Sequence, residues 1–337
     1  MKTISNKSKI VFLSTFPPTQ CGIATYTQDT IKGITDVYGK SIKCEICELV
    51  DKPKDQPTQA FTLNTKNRED YAKVAEEINQ DEAVKLVHIQ HEFGLFSGNY
   101  GDHLLDFLNA IKVPVTFTFH SVIPNPNDEL KTFVKLLLSY SNSVFVMTNK
   151  SKEILIIDYG INEEIITCVP HGTHIVIYET PEQAKEKLNI QDRLVLATFG
   201  LLGDGKNIET GLRALPKIVE KAPNVLYLII GKTHPNLIKD GGDAYRDKLE
   251  DLVKELNLEN NVRFVNQYLD TDALLEYLKA TDIYMFTSKD PNQAVSGTFA
   301  YAMSCACPIV ASKIPHTKEV LTKDAGILCD IGDSDQF

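Results

Sequence analysis

Short apolar runs alternate with amphipathic helical segments almost from one end of this chain to the other. The earliest runs cover residues 10–15 and 42–50, and helical segments over 67–80 and 100–111 follow them. Such alternation is typical of βα units on a parallel sheet, because each parallel connection needs a crossover of about a dozen residues or more. The pattern therefore predicts the α/β fold class.

The series of strands and helices runs twice. Strands are predicted at 10–15, 42–50, 85–91, 114–120 and 143–148, and then at 194–200, 225–231, 262–265, 283–287 and 308–311. We therefore predict two tandem doubly wound, Rossmann-like domains that face a cleft. The first covers residues 1–175, a polar helical connector covers 176–192, and the second covers 193–337. Ligands of such sheets lie beyond the carboxyl ends of the strands.

Charge and hydropathy exclude several classes of protein. The 337 residues carry a formal net charge of −10, which gives no basic field for a nucleic acid. No apolar run approaches the ~18 residues of a spanning helix, and the N-terminus lacks the apolar core of a signal peptide. We expect a cytoplasmic protein with at most peripheral membrane contact, since the amphipathic segment 130–140 is better explained as a core-packed helix.

Cysteine usage favours a reduced protein. The seven cysteines are scattered through apolar segments, which is typical of core thiols. Cys44 and Cys47 form a CxxC, but they stand in a strand pattern, whereas a redox CxxC opens a helix. A zinc site would need further Cys or His at ligand spacing nearby.

The segment 290–312 predicts a loop, a helix that opens at Ser296-Gly297-Thr298, and a buried strand. The first amides of a helix and its positive dipole end suit an anion, and Gly297 would let a ligand approach the backbone. An ordinary helix cap by Ser296 or Thr298 explains an isolated motif equally well. The rest of the chain decides between the two.

A glycine-rich turn, Gly200-Leu-Leu-Gly-Asp-Gly-Lys206, follows the first strand of the second domain. Backbone donors and the Lys206 ammonium in such a turn suit a diphosphate, although the Walker A spacing is absent. The alternative is a solvated lysine in a flexible turn. Two candidate anion sites in one domain favour a nucleotide diphosphate.

The first domain has its own polar strand ends. Gly22 follows the first strand and precedes a helix with a predicted cap at Thr25, in a loop that suits a phosphate, a sugar or a purely structural turn. Two neighbouring strands end in Gln90-His91-Glu92 and in His120. We expect these four side chains to meet at one edge of the sheet and to contact a substrate; a metal site there would need a further ligand.

The chain resembles the group 1 (family 4) glycosyltransferases of GT-B fold. The resemblance rests on Phe-Pro-Pro-x-Gln-Cys-Gly-Ile-Ala-Thr-Tyr at 16–26, Gln-His-Glu-Phe-Gly at 90–94, the Lys206 turn, and Gln-Ala-Val-Ser-Gly-Thr at 293–298. It implies a retaining, metal-independent transfer without a cofactor. The second domain would bind the nucleotide-sugar donor, and the first would hold a glycan, lipid-linked or small-molecule acceptor.

The resemblance also implies roles for single residues. Catalytic roles fall to His120, beside the transferring sugar, and to Lys206, on the leaving diphosphate. Donor-binding roles fall to Gly22, Gln293, Ser296, Gly297, Thr298, Tyr301 and Glu319, and acceptor-side roles to Gln90, His91 and Glu92.

The chain departs from the family pattern at three positions. Leu201 stands where the family has an arginine, and Gln293 and Tyr301 stand where it has two glutamates, which predicts a subgroup with unusual donor recognition. The same departures favour an alternative function, a non-catalytic protein that binds sugar nucleotides or glycans. An epimerase or phosphorolytic enzyme is a third interpretation. The family also continues beyond residue 337, so we expect the closing helices to be missing.

Overall fold

The computed structural model describes residues 7–52, 58–234, 237–238 and 243–337. The chain divides into two compact units, Met1–Pro170 and His171–Phe337. Each unit is built on a parallel sheet with helices in its crossover connections. The boundary predicted at 175 and the connector predicted at 176–192 lie inside the second unit.

The described part of the first unit contains a seven-stranded sheet. Its strands are β1 (Ser8–Ser14), β2 (Ile42–Val50), β3 (Phe61–Asn64), β4 (Val84–His91), β5 (Val115–Phe119), β6 (Ser141–Val146) and β7 (Ile166–Cys168). Its helices are α1 (Gly22–Tyr38), α2 (Arg68–Asn79), α3 (Leu104–Ala110), α4 (Asp128–Ser139) and α5 (Asn149–Ile157). The strand order is β3-β2-β1-β4-β5-β6-β7, and neighbouring strands are parallel.

The described part of the second unit contains a six-stranded sheet. Its strands are β8 (Leu194–Phe199), β9 (Val225–Ile230), β10 (Val262–Val265), β11 (Ile283–Phe286), β12 (Ile309–Ser312) and β13 (Gly326–Cys329). Its helices are α6 (Pro181–Lys187), α7 (Ile208–Lys221), α8 (Ala244–Glu255), α9 (Thr271–Lys279), α10 (Gly297–Ser304) and α11 (Pro315–Val320). The strand order is β10-β9-β8-β11-β12-β13, again parallel.

Both sheets share one topological feature, a reversal of strand order beside the first strand. β1 lies between β2 and β4, and β8 lies between β9 and β11. At such a switch point the connections leave toward opposite faces of the sheet, which opens a crevice at the carboxyl ends of the two strands. The loops that follow β8 and β11 therefore flank the natural ligand position of the second unit.

The second sheet is covered on both faces. All six residues of β9 are buried, as expected for an interior parallel strand. Val195 and Ala197 pack in one hydrophobic cluster, and Leu196 and Tyr227 pack in another. Since successive side chains of a strand point to opposite faces, this alternation places a layer of apolar helix faces on each side.

The predicted connector is part of the second core. Ala184 of α6 is fully buried there, and the ammonium of Lys185 binds both carboxylate oxygens of Asp282 at 2.8 and 2.6 Å. One of those oxygens also accepts the amide of Val195 at 2.6 Å. These contacts hold α6 against the amino end of β8. The polar segment 176–192 therefore belongs to the second unit.

Several local predictions need comparison with the structure. Helix α1 begins at Gly22 with Cys21 as its N-cap, whose sulfur accepts the Ala24 amide at 3.3 Å, so the cap predicted at Thr25 was wrong. Cys44 and Cys47 are free thiols on β2, in agreement with the strand prediction. The segment 130–140 is confirmed as a core-packed helix, since five apolar side chains of α4 are buried.

Gly231 lies where the ends of β8 and β9 approach each other closely. It follows β9 with φ +131°, and a Cβ there would lie 2.0 Å from the carbonyl oxygen of Gly200. We expect Gly231→Ala to lower the melting temperature by roughly 5–10 °C, because backbone strain adds to the overlap. The control is Gly33→Ala in α1, where a Cβ meets nothing within 4 Å. An equal effect of the two substitutions would contradict this account.

Candidate functional site

The loop after β8 brings Lys206 back over the end of its own strand. Gly200 has φ +130°, and a Cβ there would lie 3.2 Å from the Lys206 ammonium nitrogen and 3.1 Å from a methyl group of Thr298. The Thr287 hydroxyl donates to the Lys206 carbonyl at 2.7 Å. The Lys206 ammonium in turn donates to the Thr298 hydroxyl at 3.2 Å. The glycine-rich turn and the start of α10 thus meet at the switch point.

The first turn of α10 is capped from both sides. The Ser296 hydroxyl accepts the Phe299 amide at 3.4 Å, and the Ser296 amide donates to Nδ1 of His316 at 2.9 Å. The predicted amide donor of Ser296 is therefore engaged by His316. Gly297 and Thr298 open the helix, so their amides have no acceptor within it.

The hydrogen bond from the Ser296 amide requires that Nδ1 of His316 carries no proton. Burial, followed by the nearby charge of His171, lowers the pKa of His316 to about 4. Its ring is therefore neutral at neutral pH, and its Nδ1 can accept the Ser296 amide. Glu319, on the same helix α11, lies on the surface within electrostatic reach of His316.

Gln293 and Tyr301 occupy different surroundings. The Gln293 carbonyl accepts the Ser288 hydroxyl at 2.6 Å, and its amide donates to the Val295 carbonyl at 3.2 Å. Gln293 therefore ties the loop before α10 together. The Tyr301 hydroxyl lies 3.2 Å from Nε2 of His174, with the two rings in edge contact.

Sequence reasoning missed three histidines at this site. His316 binds the Ser296 amide, His174 contacts Tyr301, and Nε2 of His171 lies 3.1 Å from where a Cβ of Gly297 would stand. The space that was predicted to admit a ligand at Gly297 thus holds an imidazole on its Cβ side. The available signal was Pro170-His-Gly-Thr173, a segment just before the predicted domain boundary at 175.

The Lys206 ammonium is partly removed from water in this arrangement. Its side chain is half-buried, and desolvation lowers its pKa to about 8. A nearby anion would stabilise such a desolvated ammonium, and the free amides at a helix start also suit an anion. The arrangement around Lys206 therefore suits an anion.

The first unit brings His120 and Gln90 together. Nε2 of His120 lies 2.7 Å from the Gln90 carbonyl oxygen, and Gln90 is fully buried. The Tyr26 ring contacts the His120 ring edge-on at 5.0 Å. Tyr26 belongs to α1, which begins at Gly22, where a Cβ would meet nothing within 4 Å. The ends of β4 and β5 therefore converge with the first turns of α1.

Glu92 and His91 are placed differently from His120. Glu92 accepts the Ser121 hydroxyl and the Phe93 amide, so it caps the turn after β4. His91 is fully buried and stacks on Phe119 at 4.5 Å between ring centroids. Neighbouring residues of a strand point to opposite faces, so His91 cannot join Gln90 at the same surface.

His91 is an uncompensated polar group in the first core. Neither of its ring nitrogens has a hydrogen-bond partner among the described residues, and burial lowers its pKa to about 3. His88 is also buried, but its nitrogens bind the hydroxyls of Thr116 and Thr118 at 2.9 and 3.0 Å. The two histidines are therefore a matched pair.

Within the described ranges, no group of three or more His, Cys, Asp and Glu side chains could hold a metal ion. Likewise, among the described helices none combines the length and apolar character needed to cross a bilayer.

We expect His91→Leu to raise the melting temperature at pH 7, by roughly 2–5 °C, because it removes unsatisfied buried nitrogens. His88→Leu should lower it, since two threonine hydroxyls lose their partner. Below pH 6.5 the unfolded chain binds a proton that the folded His91 does not bind until about pH 3. The advantage of His91→Leu should therefore grow as the pH falls. Equal effects of the two variants at pH 7 would contradict the assignment.

Lys206→Met should raise the melting temperature of the ligand-free protein at pH 7 by roughly 2–5 °C, because it removes a desolvated charge. Between about pH 8 and 10.5 the unfolded chain holds a proton that folded Lys206 has lost, so wild-type stability rises with pH there. The difference between the two proteins should shrink over that window. A constant difference from pH 7 to pH 10.5 would contradict the lowered pKa.

Residues 179–337 match the family model of the glycosyl transferases group 1. The chain is 23% identical to one subunit of the human phosphatidylinositol N-acetylglucosaminyltransferase over 252 residues, which cover 74% of this chain and 48% of that protein. It is 22% identical to an uncharacterised glycosyltransferase of Methanocaldococcus jannaschii over 182 residues, 53% of this chain and 41% of that protein. The matches thus span about half the length of these curated relatives.

Among solved structures, the chain is similar to HepE of Anabaena in complex with UDP-glucose. The TM-score is 0.70 at 18% identity, and the match covers 97% of this chain and 86% of that one. A likeness at this identity shows the fold. The chain has the GT-B fold of two Rossmann-like domains, and its second unit carries the match to the group 1 glycosyltransferases.

Proposed function

We propose that this chain is a retaining glycosyltransferase that moves a sugar from a nucleotide-diphosphate sugar to a glycan, lipid-linked or small-molecule acceptor. The observation that carries the proposal is the meeting of Lys206 with the first turn of α10, at the switch point of a domain that matches the group 1 family. The UDP-glucose complex of the similar HepE structure supports a nucleotide sugar as the ligand class.

The proposed reaction breaks the bond between the sugar C1 and the diphosphate oxygen. The acceptor hydroxyl oxygen forms the new bond to C1 on the same face, and its proton passes to the leaving diphosphate. Negative charge therefore develops on the diphosphate, where the Lys206 ammonium and the amides of Gly297 and Thr298 would stabilise it. Lys206 supplies a positive charge to the leaving group, so the proposed transfer needs no metal ion or cofactor.

His120 is the proposed contact to the transferring sugar. A glutamine carbonyl only accepts hydrogen bonds, so the contact at 2.7 Å places a proton on Nε2 of His120. Gln90 thereby fixes the orientation of the ring, and its full burial makes it a support of His120 rather than an acceptor contact. Glu92 and Gly22 would shape the surrounding loops.

Donor recognition is expected to differ from the glutamate-bearing members of the family. The Tyr301 hydroxyl offers one hydrogen-bonding group where a carboxylate would accept from two ribose hydroxyls. We therefore propose that the chain belongs to a Gln–Tyr subgroup of the family. We also propose that it acts in the cytoplasm. A non-catalytic donor-binding protein is the second candidate, because the Gln293 side chain is engaged within its own loop.

A panel of UDP-, GDP- and ADP-sugars in a thermal-shift assay tests the proposed donor site. A donor at 100 times its dissociation constant should stabilise the protein by about 2.7 kcal/mol. Lys206→Ala should reduce the shift, whereas Lys254→Ala should keep it, because Lys254 lies exposed on α8 and pairs with Asp251 of the same helix.

Release of the nucleoside diphosphate then separates the two candidate functions. A transferase should lose on the order of 10²-fold in kcat with Lys206→Ala, by analogy with other oxyanion donors. His120→Ala should lower kcat as well and keep the donor shift. A donor shift without any turnover supports the binding protein, and the absence of a shift with every donor contradicts the donor site itself.

A further inference from the structure

The loop after β11 holds the main chain of the turn that carries Lys206. The Thr287 hydroxyl donates to the Lys206 carbonyl at 2.7 Å, and the Lys289 amide donates to the Gly205 carbonyl at 3.1 Å. Thr287 is buried, so its bond lies away from competing water. The position of the Lys206 turn therefore depends on the conformation of this loop.

The side chain of Gln293 closes the next part of the same loop. Its carbonyl oxygen accepts the hydroxyl of the buried Ser288 at 2.6 Å, and its amide nitrogen donates to the Val295 carbonyl at 3.2 Å. The Ser288 hydroxyl also lies 3.4 Å from the Gly205 carbonyl, but it has one proton, which serves the shorter contact. Gln293 thus connects a residue beside the Lys206 turn to the residue before the N-cap of α10.

The peptide group between Val295 and Ser296 is held at both of its polar atoms. Its carbonyl accepts the Gln293 amide, and its N–H donates to Nδ1 of His316 at 2.9 Å. Ser296 is the N-cap of α10, so the orientation of this peptide sets the direction in which the helix begins. Gln293 and His316 together therefore fix the start of α10.

The two bonds of Gln293 require one donor and one acceptor. A carboxamide has both, whereas a carboxylate can only accept. A glutamate at this position could still accept the Ser288 hydroxyl, but it would place a negative oxygen against the Val295 carbonyl. The departure from the family pattern at position 293 is therefore matched to a bond within the protein.

We propose that Gln293 is a positioning residue, which holds the Lys206 turn and the start of α10 in the arrangement that binds the diphosphate. This proposal rests on the function proposed above. The two elements meet where the Lys206 ammonium donates to the Thr298 hydroxyl at 3.2 Å. A shift of either element would separate the ammonium from the first amides of α10. Affinity for the diphosphate, rather than for the sugar, then depends on Gln293.

Calorimetric titration of the full chain tests the proposal with two probes, a nucleoside diphosphate and the corresponding nucleoside diphosphate glucose. The base is whichever of uridine, guanosine and adenosine binds the wild type. Gln293→Met removes both hydrogen bonds of the amide without adding a charge. We expect it to weaken both probes equally, by about tenfold. A loss confined to the glucose-bearing probe would indicate a sugar contact and would overturn the inference.

Gln80→Met is the matched control, because Gln80 lies exposed at the end of α2 in the first unit. It should keep the wild-type affinity for both probes. Ser288→Ala should weaken both probes as well, because it removes the hydroxyl that Gln293 accepts. In the Gln293→Met background, Ser288→Ala should add little further loss, since the bond is already absent.

A double-mutant cycle with Lys206 separates positioning from a merely structural role. In the Lys206→Ala background, Gln293→Met should weaken the diphosphate probe by only about twofold, because the ammonium that it positions is gone. Fully additive losses would overturn the inference. A lower melting temperature of Gln293→Met with unchanged affinity would overturn it too, since Gln293 would then only stabilise the fold.

The same titrations keep this inference separate from the proposed function. Wild-type affinity in Gln293→Met, together with weaker binding in Lys206→Ala, would overturn the positioning role and leave the proposed function standing. Failure of the wild type to bind any of the nucleoside diphosphates or their glucose esters would overturn both.

Discussion

The position of β8 between β9 and β11 is the constraint on which the proposed site depends. Because the strand order reverses there, the loops after β8 and β11 separate and leave a crevice at their carboxyl ends. Lys206 lies in the first loop, and the second leads into α10. Without this reversal the lysine and the helix start would be covered by a crossover helix instead of meeting at 3.2 Å.

The arrangement of Lys206 and α10 comes with a close approach of the backbone at the ends of β8 and β9. Gly200 and Gly231 end adjacent strands with positive φ, and any side chain at Gly231 would overlap the Gly200 carbonyl. Desolvation of Lys206, which lowers its pKa to about 8, is a second cost to the ligand-free fold. Functional sites commonly retain such local instability, because function often requires a site that is not optimally stable. His316 has the opposite, stabilising effect, because it accepts a hydrogen bond from the Ser296 amide at the start of α10.

The uniformly apolar β9 was predictable, whereas β3 and β7 were not. β9 begins where the apolar pattern places it, because a buried parallel strand excludes polar residues on both faces. The four-residue β3 and the three-residue β7 mix apolar and polar residues and show no apolar run. The polar α6 was interpreted as a connector, because its few buried contacts, Ala184 and Lys185, are invisible in a mostly polar segment.

The order and spacing of motifs determined the fold class, the two-domain plan and the candidate set around Lys206, Ser296 and His120, because βα periodicity and helix-start chemistry are local. Only the tertiary structure decided which of those side chains meet. It paired His120 with Gln90 and buried His91 among aromatic rings, since a one-residue offset on a strand changes the face. It also brought His171 against Gly297, a contact between residues far apart in the chain that no local pattern encodes.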